Sequence, residues 1–140
     1  MNICLEIAGG LLVMLALLHI GFPRYFRWGE DLAPVSLINR EMMYIHAFFL
    51  ALVVLLIGLL CLLATDDLVR TPLGHKIDLG LALFWLIRLL AQFFGYSSML
   101  WRGKRFETWV HVLFSILWIY LTAVFLLASG YVSMFTGQIR

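Results

Sequence analysis

From Ala47 to Ala64 the chain carries no charged or polar side chain. A stretch that long and that apolar fits only the centre of a large soluble core or a lipid bilayer. The chain has 140 residues, 64% hydrophobic and 13% charged, with a mean hydropathy of +1.00. A soluble domain is typically about half apolar and about a quarter charged. One soluble core could not absorb this much apolar surface, so the sequence predicts an integral membrane protein forming a single domain over residues 1–140.

Three further apolar runs complete the pattern. Spans are expected at about 3–20, 40–64, 77–100 and 107–129, giving an all-α, polytopic four-transmembrane-helix bundle. The first is ended by Gly21-Phe-Pro23, and Gly9 and Gly10 within it permit close helix approach. It is not preceded by a basic n-region or followed by a small-x-small cleavage site, so it reads as a retained helix. The loop from Phe22 to Asn39 interleaves Arg24, Arg27, Glu30 and Asp31 with Tyr25, Phe26 and Trp28, a composition suited to a short interfacial helix. Ser36 is a candidate cap for the second span. Thr71-Pro72-Leu-Gly74 belongs to an aqueous connection with Arg70, His75 and Lys76. Cys4 and Cys61 lie in predicted spans without CxxC spacing and read as buried apolar thiols.

Lysine and arginine set the orientation. Arg24, Arg27, Arg40, Arg102, Lys104 and Arg105 fall on one side, and Arg70, Lys76 and Arg140 on the other. That asymmetry predicts a bacterial inner membrane protein with both termini outside. The net charge of +2 and the lack of a basic block give no footing for nucleic acid.

The fourth span carries the main polar signal. Glu107, His111, Ser115, Trp118 and Thr122 recur every three or four residues and share one helix face. A polar stripe in a span must face protein or water, because an unsatisfied polar group in hydrocarbon costs several kcal/mol. With the predicted topology, His19, His46 and His111 lie within roughly 5 to 8 Å of one another in depth, at 1.5 Å per residue. Gln92 and Tyr96 occupy a comparable level, and Glu107 lies near the same boundary.

Neutral imidazoles on facing helices are ligands for zinc, copper or iron, and three of them leave an open position for water or substrate. His19, His46 and His111 are therefore candidate metal ligands. Glu107 is a candidate fourth ligand, orienting partner or general base. Two of the histidines could instead hold haem b axially. Arg88, with Gln92 and Tyr96 beside it, is then a candidate contact for propionates or another anion, since a mid-span arginine normally finds a partner. Gln92, Ser115, Thr122 and backbone carbonyls are its alternative structural partners. There is no HExxH, no HxxxH and no Cys pair, so the metal reading rests on depth alone. The bland alternative is that each histidine bonds a neighbouring helix.

Ser115 follows His111 by one turn, but no Gly-x-Ser-x-Gly elbow accompanies it. A serine at that spacing is expected to bond the carbonyl of its own helix rather than act as a nucleophile. No repeated ring of charges suggests a pore. Two functional classes remain: a metal- or haem-dependent membrane protein, redox-active or enzymatic, and an accessory subunit or homo-oligomer in a larger membrane complex.

The phrases Asn39-Arg-Glu-Met-Met-Tyr-Ile-His46 and Tyr96-Ser-Ser-Met-Leu-Trp-Arg-Gly-Lys-Arg-Phe-Glu-Thr-Trp-Val-His111 resemble a small bacterial family of four-helix integral membrane proteins. That resemblance implies the fold and no activity. Phe84-Trp-Leu-Ile-Arg88-Leu is loosely similar to a piece of the small haem-binding membrane protoporphyrinogen oxidases, which implies haem and assigns no residue.

Overall fold

The computed structural model describes residues 1–97 and 103–131. The expected end of the third span at Leu100, together with Arg102 and Arg140 of the charge count, lies outside them. The described residues are all-α: α1 (Asn2–Tyr25), α2 (Trp28–Asp31), α3 (Leu37–Leu63), α4 (Thr65–Arg70), α5 (Pro72–Phe94) and α6 (Arg105–Ala128). Four of them, α1, α3, α5 and α6, are long and apolar enough to cross a membrane. The all-α four-span class is the one the sequence predicts.

Two helix boundaries that differ from those expected lie at prolines. α1 continues through Pro23 to Tyr25. Proline lacks the N–H that would bond the carbonyl four residues back, so the continuation forgoes the bond to His19 O, a loss a membrane helix tolerates. α5 begins at Pro72 rather than Ile77. Thr71 is its N-cap, with Oγ1 accepting from Gly74 N at 2.8 Å, and Pro72 fits the first turn because no N–H is needed there. α3 begins at Leu37 with Ser36 at the cap position, although the serine side chain makes no cap bond.

The chain divides into two compact units. Leu5–Thr65 contains most of α1, with α2 and α3. Here α1 and α3 meet at glycines: a Cβ on Gly9 would lie 2.8 Å from Gly58 O, and one on Gly58 would lie 3.0 Å from Gly9 O and from Val13 N. These contacts run antiparallel. Away from them α3 is open, since its buried residues are Val54, Gly58 and Cys61. Cys61 is buried as expected, but Cys4 is exposed.

The glycine contact gives a first prediction. Gly9→Ala should cost about 1–3 kcal/mol, because the new methyl meets backbone that cannot rotate away. Gly10→Ala, with nothing within 4 Å of its Cβ, should leave stability unchanged or improved. Thermal unfolding of both variants in the same detergent decides it. Equal behaviour would refute the close approach.

The second unit comprises Met1–Cys4 and Asp66–Arg140. Its N-terminal residues are tied in by Asn2 Nδ2 donating to Asp66 Oδ1 at 2.8 Å and by Tyr120 OH donating to Cys4 O at 2.9 Å. α5 and α6 pack as an antiparallel pair. Trp85 stacks on Trp118 with ring centroids 5.1 Å apart and planes 10° apart, and Gln92 meets His111. The same register sets Asp78 level with Phe125.

Candidate functional site

In the α5–α6 pair the polar stripe of α6 turns inward from His111 onward. Ser115 and Trp118 are buried, while Glu107 is exposed in the first turn. The hydroxyls bond their own helix, Ser115 Oγ to His111 O at 2.8 Å and Thr122 Oγ1 to Trp118 O at 2.7 Å. The expected back-bonding of Ser115 is thus present, and neither hydroxyl serves Arg88.

Arg88 finds other partners. Its Nη1 donates to Gln92 Oε1 at 3.2 Å, and its guanidinium carbon lies 4.8 Å from the Trp118 ring centroid and 5.8 Å from that of Tyr96. Arg88 and Gln92 are neighbours by the four-residue helix spacing. Because α5 ends at Phe94, Arg88 lies six residues from its end, about 9 Å at 1.5 Å per residue, rather than mid-span. An arginine at that depth is within snorkelling reach of the interface.

The chain continues to His111, whose Nδ1 lies 2.8 Å from Gln92 Nε2. Arginine has no acceptor, so Gln92 must turn its oxygen to Arg88 and its NH2 to the imidazole. His111 Nδ1 is then the acceptor, and the neutral ring carries its proton on Nε2. Metal ligation through Nε2 would require the proton on Nδ1, where Gln92 already donates. The amide would have to turn and release Arg88.

His19 and His46 differ in this respect. His19 Nδ1 donates to Leu15 O and His46 Nδ1 to Met42 O, each at 2.7 Å. With Nδ1–H spent on its own helix, each ring in its neutral form has the Nε2 lone pair available. Both residues lie in the Leu5–Thr65 unit. The register set at Gly9 and Gly58 places them about one helical turn, ~5 Å, apart in depth. The His19 ring stacks obliquely on Phe22 at 4.6 Å, and Trp28 meets Tyr44 edge-on at 5.4 Å. Between α1 and α3 at this end lies an open cleft of about 530 Å³ lined by Pro23, Arg24, Arg27, Gly29, Glu30 and Tyr44. Arg27, the left-handed residue that starts α2, pairs with Glu30.

Among the described residues no three His, Cys, Asp or Glu side chains form a group able to hold a metal ion. Arg88, Gln92, Tyr96 and His111 are brought together. Glu107 has no side-chain bond to His111 among the described residues.

Sequence reasoning missed Asp78 and the tryptophan pair. Asp78 is 0% exposed, and both carboxylate oxygens lack a hydrogen-bond partner among the described residues. Its position on the Ala82–Trp85 face of α5 is the signal that could have found it. The Nε1–H groups of Trp85 and Trp118 are likewise buried without an acceptor.

No protein-family model matches the chain, and comparisons with curated proteins and with solved structures return no match.

Proposed function

We propose that the protein is an intramembrane cofactor-binding protein, with haem b as the group its histidines suit best and His19 and His46 as the iron ligands. The observation that carries this reading is the hydrogen bond from Nδ1 of each ring to a carbonyl of its own helix. Each commits Nδ1–H to its own helix and presents Nε2, the form an axial imidazole needs. Their similar depth in one unit, the open half of α3 and the aromatic side chains around them support it. Arg24 lines the neighbouring cleft and suits a propionate. Haem iron held by two imidazoles supplies one-electron transfer.

A three-histidine zinc, copper or iron site with His111 as third ligand and Glu107 as proton carrier is the less supported form, because Gln92 donates to His111 Nδ1. Arg88, Gln92 and Tyr96 as propionate contacts belong instead to a haem form that uses His111, and are less supported for the same reason. The Lys/Arg asymmetry of the loops favours a bacterial inner membrane location with both termini outside and the His19–His46 end toward the cytoplasm. A second reading, a homo-oligomer or an assembly subunit of a larger membrane complex, draws on α3. Only 17% of its apolar window is buried within the chain, leaving the rest to lipid or a partner.

The test is the visible spectrum and elemental content of protein purified in mild detergent from cells supplied with haem precursor and metals. A Soret band abolished by His19→Ala and by His46→Ala, with helical content retained, is the expected result. Stoichiometric metal without that band would move the assignment to the metal site. A sample lacking both would falsify the cofactor reading and favour the assembly role.

A further inference from the structure

The Arg88 neighbourhood is chemically one-sided. The guanidinium has five N–H donors, of which one is bonded to Gln92. The Trp118 ring beneath it and the Trp85 ring stacked on that are 4% and 2% exposed. Both indole N–H groups are buried with no acceptor among the described residues. A buried donor left unpaired costs about 1–3 kcal/mol, and two of them accompany a cation with no carboxylate within ion-pairing distance among the described residues. Among the described residues, this cation over an apolar ring has no anion beside it.

We propose that Arg88, seated over the buried Trp118–Trp85 stack, binds the carboxylate head of a membrane-dissolved amphiphile. A carboxylate suits the guanidinium fork, which presents parallel donors to two oxygens. Arg88 is half-buried, so the ligand can enter from the side of the helix pair. The depth of about 9 Å below the end of α5 matches a head group drawn slightly inside the interface, with its chain among the lipids. The proposal stands on the α5–α6 pair alone and does not rest on the haem reading.

The experiment uses the whole protein in phosphatidylcholine vesicles and reads tryptophan emission. The probe is stearate carrying a nitroxide near its carboxyl end, compared with its methyl ester, which has the same chain and quencher without the charge. The acid is expected to reach half-maximal quenching at about tenfold lower mole fraction than the ester, the effect of a charge-assisted pair. Arg88→Gln should close that gap, while Arg88→Lys should retain part of it. Far-UV circular dichroism of each variant checks that the helices persist. Unlabelled oleate should relieve the quenching and acetate should not. Relief by acetate would support the same carboxylate chemistry but assign the ligand to the aqueous phase. Equal quenching by acid and ester in the unaltered protein overturns the proposal, as does a gap that survives Arg88→Gln with the helices intact.

Discussion

Gly74→Ala is expected to open the corner between α4 and α5, at a cost above about 3 kcal/mol. The added methyl would lie 2.2 Å from Asp67 O, 2.4 Å from Leu68 O and 2.5 Å from Leu68 Cα. All three are backbone atoms, so no rotamer change relieves the overlap. The corner is also tied by hydrogen bonds that the displaced backbone would break. Thr71 N and Thr71 Oγ1 both donate to Asp67 O, at 3.1 and 2.7 Å, while Gly74 N donates to Thr71 Oγ1. Gly80→Ala is the control, because nothing lies within 4 Å of its Cβ. On helix propensity alone it should gain up to about 1 kcal/mol. Thermal unfolding in micelles measures the difference, and limited proteolysis after Arg70 reports the corner directly. Matching behaviour of the two variants would show that the corner does not depend on a missing side chain.

That corner also marks what the sequence could and could not disclose. The apolar runs were legible because a bilayer imposes a length and a composition that few other environments tolerate. Ala47–Ala64 alone nearly determines the class. The Thr71-Pro72 start of α5 was available as a cap followed by proline in the first helical turn, but Lys76 and His75 drew the boundary inward. Pro23 does not terminate α1, because the bonding loss at one carbonyl does not end a helix within a membrane. Neither signal reports how closely Gly74 approaches Asp67 and Leu68, because that distance depends on how α4 folds back.

The candidate site was legible along each helix and obscure between helices. The four-residue spacing of Arg88 and Gln92 predicted their contact, and the spacing of His111 and Ser115 predicted the back-bond. Whether Gln92 donates to His111 depends on the α5–α6 register, which no single helix specifies. The stack of Trp85 on Trp118 depends on the same register. With it come the cation over the ring and the two indole N–H groups that have no acceptor among the described residues. Histidine count and depth pointed to three equivalent ligands. Hydrogen bonding separates them, since His19 and His46 present Nε2 while His111 is held through Nδ1.

Asp78 gives the other large effect, in the opposite direction from Gly74. Replacement by Leu is expected to stabilise the protein by about 1–3 kcal/mol. The carboxylate is 0% exposed and neither oxygen has a hydrogen-bond partner among the described residues. Burying an ionised group without a partner carries a desolvation cost of several kcal/mol, and burying its neutral acid still leaves polar atoms unpaired. Leucine has the same branching and puts two methyl groups where the two oxygens lie, at a modest increase in volume that offsets part of the gain. Asp78→Asn separates the two contributions, because it removes the charge and keeps the unpaired polar atoms. Its gain should be smaller than that of leucine. Urea unfolding in micelles, followed by far-UV circular dichroism, ranks the three proteins. A loss of stability in Asp78→Leu exceeding that in Asp78→Asn would mean that the carboxylate is held by a partner in the folded protein. Asp78 would then be part of a polar site, with His75 one turn before it on α5 as the first group to substitute.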